Sequence, residues 1–377
     1  MLKINEIYTK KQFLNMRKCW ETTLNKSIEN NIFLTWEKMA PSVNLLEKES
    51  ALKILCVTEE TELIGIAPFR KTRKSIKGNF GYNIIEPLTN GNTDYSGLLI
   101  TKQEVQCMQK LLTHLFSQKD WDLITIPDLP QTSPTLNLIK SNSKDLPRFK
   151  FEKGVICPYV EIPDSNEKLL SSLNPKFRKN LQRRLRKLEK EQGKVEIKHY
   201  FELGSLNEAM EIFFNLHQKR WVRKGEPGVF GTKKAREITM QTIKYFAEKD
   251  WLRLHFLTVN NRPVATSLDL EYGGKMYGHL CGFDPDYAKY SVGNLLLLKI
   301  LKQCIIKKIS EYDFMQGDES YKFDWTQKYR QNTNIKFFNK KFSSMIISIG
   351  LTGYQLIGLS SQMLKKIKNR ISPKQTC

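Results

Sequence analysis

The run WLRLHFLTVNNRPVATSLDLEYGGKMYGHLCGF, residues 251–283, carries the strongest β signal in the chain. Apolar and β-branched residues dominate it, and two turn signals divide it, Asn260-Asn261-Arg262-Pro263 and Gly273-Gly274. Three strands joined as a meander follow. Downstream, SVGNLLLLKILKQCIIKKI at 291–309 reads as a helix dense enough in apolar residues to need burial, and EYDFM as a short strand. Upstream, Leu173, Phe177, Leu181, Leu185 and Leu188 mark one face of a basic helix that Asp164-Ser165 announces. Residues 205–222 and 233–249 give two further amphipathic helices. Helices, antiparallel strands, a buried helix and another strand make an α+β domain.

The N-terminal half alternates in a similar way. Residues 9–29 have helical spacing, with Phe13, Met16, Trp20 and Leu24 on one face. Residues 51–71 read as two strands with a turn at Glu59–Glu62, the second ending at Pro68 for want of an N–H. Strands are expected near 95–100 and 121–126 with a helix at 103–117 between them, and PDLPQTSPTLN at 127–137 reads as turns. The length of 377 residues suits two domains. Their expected bounds are 1–155 and 156–343, with 344–377 as a basic amphipathic tail.

No stretch in the first 340 residues approaches the ~20 apolar residues of a membrane span, and no signal peptide is legible in the first thirty, so a cytoplasmic chain is the expectation. Seven scattered cysteines without CxxC pairs point to free thiols and against a zinc site; no metal is expected. The net charge of +22 is uneven. Residues 176–198 hold ten Lys or Arg against three Glu, ten bases and no acid follow Asp324, and the two segments account for +17. Basic patches speak to partners: an anionic acceptor, tRNA phosphates or an anionic lipid surface. The tail has three open readings: docking on the protein's own core, an interfacial helix on the inner face of a membrane, or a span.

Several pieces together carry a resemblance: NPKFRKNLQRRLRKLEK, HQKRW at 217–221, GHLCGFDPDYAKYSVGNLLL and YDFMQGDESYKFDW. The chain from Asn174 to Trp325 resembles the GNAT acyltransferases. More narrowly it resembles a bacterial branch of cellulose-biosynthesis acetyltransferases, similar to the Fem-type peptidyltransferases. IFLTWEKM at 32–39 and ELIGIAPFR at 62–70 look like that branch's degenerate N-terminal copy. The resemblance implies two tandem GNAT-like domains with mixed, largely antiparallel sheets flanked by helices. It also implies an acyltransferase using acyl-CoA, with acetyl-CoA first, to modify an amine or hydroxyl on a small molecule, glycan or peptide. The donor's phosphates are then expected at Tyr290, Ser291, Val292, Gly293 and Asn294. This loop departs from the superfamily's Q/R-x-x-G-x-G/A by holding one glycine. Two alternatives stand beside that reading: aminoacyl transfer from tRNA to a cell-wall precursor, and a non-catalytic membrane- or nucleic-acid-binding role.

Acyl transfer needs a held donor, a group to take the acceptor's proton, and stabilisation of the carbonyl oxygen. A helix N-terminus with a glycine suits a pyrophosphate; the plainer reading has Ser291 capping the helix and Gly293 easing packing. His279, Asp313, Asp318, Glu319, Tyr321 and Lys322 are the candidate chemical groups, with Asp284 a further base. Asp313 would face away from Tyr312 and Phe314, and Gly317 would turn the chain to carry Asp318 and Glu319 to the strand end. His217 and His255 read as core or rim histidines.

Overall fold

The structure, a computed structural model, describes residues 1–46, 51–76, 80–89, 93–142, 148–223 and 225–349; the expected tail beyond Ile349 lies outside them. The N-terminal half runs β1 (Leu2–Ile7), α1 (Lys10–Asn15), α2 (Arg17–Lys26), α3 (Trp36–Asn44), β2 (Leu52–Glu59), β3 (Glu62–Ile76), β4 (Phe80–Pro87), β5 (Leu99–Ile100), α4 (Glu104–Ser117), β6 (Leu123–Pro130), α5 (Pro134–Ser141) and β7 (Phe149–Glu161). The C-terminal half runs α6 (Asn166–Ser172), α7 (Pro175–Gln192), β8 (Val195–His199), α8 (Leu206–Arg223), α9 (Lys233–Glu248), β9 (Leu252–Val259), β10 (Arg262–Tyr272), β11 (Lys275–Phe283), α10 (Val292–Ile306), β12 (Glu311–Asp313) and β13 (Tyr329–Phe338).

The meander forms where the turn chemistry demands it. Asn260 and Asn261 (φ 47° and 64°) and Gly273 and Gly274 (φ 57° and 74°) supply the paired positive φ angles of tight hairpin turns. β9, β10 and β11 then pair antiparallel, α10 crosses over, and β12 returns parallel to β11. The N-terminal half repeats this order: β2, β3 and β4 are antiparallel, α4 crosses over, and β6 lies parallel to β4. The duplication that no local sequence similarity reveals is therefore plain in the topology. The sheet is mixed and largely antiparallel, with helices on its faces.

The halves are joined by shared strands. The sheet path runs β1-β2-β3-β4-β6-β13-β7-β12-β11-β10-β9-β8, so β13, from the end of the described chain, sits between β6 and β7. β7 is long enough to pair with β13 through its first ten residues and with β12 at Tyr159–Glu161. One apolar cluster spans the junction, bringing Ile32, Phe33 and Tyr95 against Phe213, Phe256 and Tyr277.

Three expectations for the first half need correction. β3 does not stop at Pro68 but runs to Ile76. Pro68 falls where β3 changes partner, between its pairing with β5 at Gly65–Ile66 and with β4 from Phe69 onward. The 127–137 run is not all turn: β6 reaches Pro130, and Ser133 caps α5 with Pro134 in its first turn. Strand 95–100 shrinks to β5.

Glycines on β11 and α10 differ in what they allow. A Cβ on Gly282 would collide with the backbone of Leu216 and His217, because α8 lies directly on the strand there. A Cβ on Gly293 meets nothing nearer than Phe283 at 4.0 Å. Gly282→Ala should therefore lower stability by about 1–3 kcal/mol, the usual cost of overpacking, while Gly293→Ala leaves it nearly unchanged. Denaturant melts of the two variants check the contrast.

Candidate active site

β11 and β12 are hydrogen-bonded partners at Lys275↔Glu311, Met276↔Tyr312 and Tyr277↔Asp313, and then part. β11 follows β10 onward to Phe283, whereas the chain after Asp313 turns away through Met315 (φ 60°) and Gly317 (φ 121°). The gap is a cavity of about 420 Å³. One wall is the free edge of β11 from Gly278 to Phe283; the others include His217 and Arg220 of α8, the first residues of α10, and Glu319, Tyr321 and Lys322.

His279 sits at an irregularity in β11. Leu268 pairs with Leu280 but Asp269 pairs with Gly278, so His279 is an extra residue, a β-bulge. Bulges re-aim side chains beside functional sites. The His279 Nδ1 lies 3.8 Å from an Asp94 carboxylate oxygen and has no hydrogen-bond partner among the described residues. Burial, aided by the positive Lys38, pushes the His279 ring down to about 3, so it is neutral at pH 7.

Asp94 reaches this cavity from the N-terminal half. In that half the space beside the end of β6 is taken by segment 93–100, where the Ser96 N–H donates to the Asp128 carbonyl at 3.2 Å. The segment continues into β5 against β3 and carries Asp94 across to the C-terminal cavity. The Gln316 N–H donates to Asp94 Oδ1 at 3.2 Å, and the Gln316 and Asn332 side-chain amides donate to its carbonyl. Burial raises the Asp94 carboxyl, against that hydrogen bond and the charge of Lys38. Burial in turn lowers Lys38 to about 8. Asp94 stands between Thr93 and Tyr95 and belongs to no motif, so no local signal marked it.

The expected chemical residues divide. His279, Glu319, Tyr321 and Lys322 line the cavity; Asp313 and Asp318 do not. Asp313 does face away from Tyr312, as the strand alternation requires, and is fully enclosed. Its carboxylate accepts from the Tyr95 hydroxyl at 2.6 Å, the Met315 N–H at 2.8 Å and Arg330 at 3.3 Å. Asp313 is thus a joint between the halves, and burial raises it to about 6. Asp318 is exposed at the turn. The Lys322 ammonium donates to the carbonyls of Met315 and Gln316 (3.2 and 2.7 Å) and pairs with Glu319 at 2.9 Å, so it braces the loop. Burial would raise Glu319, but that lysine outweighs it and holds the carboxyl below its usual range. Burial raises the Tyr321 phenol far above its ordinary value, with Cys281 and Glu319 adding to the effect, so it stays protonated. Asp284 accepts from Lys219 and from the Asp286 N–H, which commits it to capping the turn 285–290.

The expected donor loop also divides. Tyr290 is buried away from the cavity, its hydroxyl donating to Glu191 of α7 at 2.7 Å. Ser291 adopts φ 54° and does not cap α10 through its side chain. Its hydroxyl instead accepts from Arg184 of α7. The N–H groups of Val292, Gly293 and Asn294 precede the first helical bond, which Leu295 donates to the Ser291 carbonyl at 3.1 Å. Gly293 is exposed and its missing side chain leaves that end of the cavity open. Asn294 accepts from the Trp325 indole at 3.3 Å.

Arg220 is a further cavity residue that the sequence reading passed over. Its guanidinium lies 3.0 Å from Cys281 Sγ and over the Phe283 ring at 5.4 Å. The HQKRW helix gave no sign of which of its bases faces inward until α8 was placed on β11. Among the described residues no group of His, Cys, Asp and Glu could hold a metal ion, and no helix is long and apolar enough to cross a membrane.

His217 and His255 are both buried, His217 at the cavity wall and His255 in the core. His255 pairs with the buried Asp269 at 3.1 Å, and the His217 Nε2 accepts from the Trp221 indole at 3.0 Å. Burial lowers His217 to about 4. The unfolded ring binds a proton near ~6.5, so between those values the unfolded state holds more protons. Stability should be full above pH ~6.5 and fall as pH drops through that window, by about 3 kcal/mol from this residue. Denaturant titration of wild type and His217→Gln at pH 7 and pH 4.5 should show a smaller acid loss in the variant.

Residues 175–323 match the family described as the acetyltransferase (GNAT) domain. No curated protein matches the chain by sequence. Among solved structures, FemX superposes with a TM-score of 0.58 at 11% identity, covering 94% of this chain and 99% of its own. A conserved protein of unknown function from Bacteroides thetaiotaomicron gives 0.55 at 11% identity over 90% and 100%. L-PGS from Bacillus licheniformis gives 0.53 at 10% identity over 92% and 98%. At such identities the likeness is one of fold, and it extends over both halves. The cavity between β11 and β12 is therefore lined mainly by the segment that matches the GNAT domain, in a chain whose fold is similar to those of FemX and L-PGS.

Proposed function

We propose that the protein is an acyltransferase that moves an acyl group, acetyl first, from a coenzyme A thioester to an amine or hydroxyl. The observation that carries this reading is the parting of β11 from β12 into a cavity that ends on the bare N-terminus of α10. An extended thioester arm laid in the gap can hydrogen-bond the free edge of β11 as a strand would. Its pyrophosphate then meets the N–H groups of Val292, Gly293 and Asn294 and the positive end of the helix dipole, with Arg184 close by.

The acceptor enters beside Asp94 and His279. Asp94, its carboxyl raised by burial, takes the proton from the amine or hydroxyl as that group attacks the thioester carbon. N–H groups on the β11 edge stabilise the oxyanion. As the tetrahedral intermediate collapses, the carbon–sulfur bond breaks and Tyr321 gives its proton to the departing thiolate. Neutral His279 orients the acceptor. The resemblance to the cellulose-biosynthesis branch favours a glycan-borne acceptor.

Turnover should rise with pH as the Asp94 carboxylate forms, and Asp94→Asn should lower kcat by about 10²–10⁴ and remove that acid limb. Calorimetric titration with acetyl-CoA and a long-chain acyl-CoA tests the donor. Micromolar binding that Gly293→Glu abolishes without unfolding is expected, and binding of neither donor would overturn the reading.

One observation favours a second reading, aminoacyl transfer from tRNA. α7, whose Arg184 touches the loop at the phosphate end of the cavity, turns Lys176, Lys179, Arg183, Arg186, Lys187 and Lys190 outward. tRNA held there would dissociate steeply as salt rises from low to physiological concentration, whereas acyl-CoA binding would weaken much less.

A further inference from the structure

Residues 342–349 form a helix after β13, and its two faces break the usual pattern. One face is anchored inward. Ile347 is fully buried against Tyr82, Ile84, Leu123 and Phe338, and the Ser343 hydroxyl donates to Asp122 at 2.6 Å. The opposite face of a surface helix is ordinarily polar. Here it carries Phe342, Met345 and Ile349, spaced three and four apart on one stripe, at 73%, 42% and 64% exposure. Immediately before the helix stand Lys340 and Lys341, neither paired with a described acid.

We infer that this outward stripe is a membrane-docking face, and that its occupant is an anionic lipid bilayer. Charge decides the occupant. An apolar stripe alone would suit another protein surface equally well, but this one begins at two lysines that pair with no described acid, in a stretch that holds ten bases and no acid after Asp324. Apolar residues that enter the acyl boundary while lysines meet anionic headgroups are the elements of an interfacial helix. The inner face, fixed by Ile347 and Ser343, then ties the protein's orientation on the lipid to β4, β6 and β13. This inference is independent of the chemistry in the cavity.

Vesicle flotation of the full chain tests it, with phosphatidylglycerol-rich and pure phosphatidylcholine vesicles side by side. The wild type should float with the former and not the latter. Phe342→Ser/Met345→Ser/Ile349→Ser should weaken that binding about tenfold or more at an unchanged melting temperature. Lys340→Glu/Lys341→Glu should weaken it with the stripe intact. Three results would overturn the inference: no binding by wild type, full binding by the stripe variant, or a lower melting temperature or loss of a dimer in that variant. The last would show that the stripe is covered by residues 350–377 or by a second copy of the chain.

Discussion

The register Tyr277↔Asp313 is where the C-terminal sheet divides, and the site depends on it. Up to that pair β11 and β12 are ordinary parallel neighbours. Beyond it each strand answers to a different partner. β11 stays with β10 through Ala265↔Phe283, while β12 is held to β7 at Tyr159 and by the Asp313 carboxylate to Tyr95 and Arg330. Gly278 permits the divergence, since a Cβ there would collide with the Tyr312 hydroxyl that donates to Asp269. The bulge at His279 completes it. A buried carboxylate with several donors is costly to disturb, because removing one partner leaves the charge underground without compensation. The gap is therefore fixed by the core beneath it and needs no loop to hold it open.

The same joint explains what the N-terminal half contributes. Its own crossover, β4–α4–β6, has the topology that makes a gap in the other half, yet segment 93–100 lies across the end of β6. Tyr95 from that segment anchors Asp313, and its neighbour Asp94 enters the cavity next to His279. One half thus fills the space beside its own crossover strand and places a carboxylate in the cavity of the other. Lys38 of α3, itself lowered to about 8 by burial, adds a positive charge that favours the Asp94 carboxylate and disfavours a charged His279 across the junction.

Much of this was legible in the chain, for reasons that are local. Asn260-Asn261 and Gly273-Gly274 announce their turns because few residues tolerate paired positive φ, and α10 is dense enough in leucine to declare its burial. Alternation around Tyr312, Asp313 and Phe314 correctly put the acid on the face opposite the two rings. What that pattern could not say was which face borders the cavity, and so Asp313, a joint, stood among the candidates while Asp94 and Arg220 did not. Both belong to the site through packing across long sequence separation. The place of β13 between β6 and β7 was hidden for the same reason, since a strand's partner is set by the sheet already formed. Lys322 fits the cavity by position, but its ammonium serves the carbonyls of the turn, a use that no spacing reveals.

A donor lying in the gap between β11 and β12 is what the proposed chemistry requires, and amide hydrogen exchange with and without acetyl-CoA tests that placement most directly. A donor so placed slows exchange only at residues 278–283 on the β11 edge and at 292–294 at the start of α10, with the segment around Asp94 unchanged until an acceptor is added. Protection centred elsewhere, or none at these two places at saturating acetyl-CoA, would contradict it.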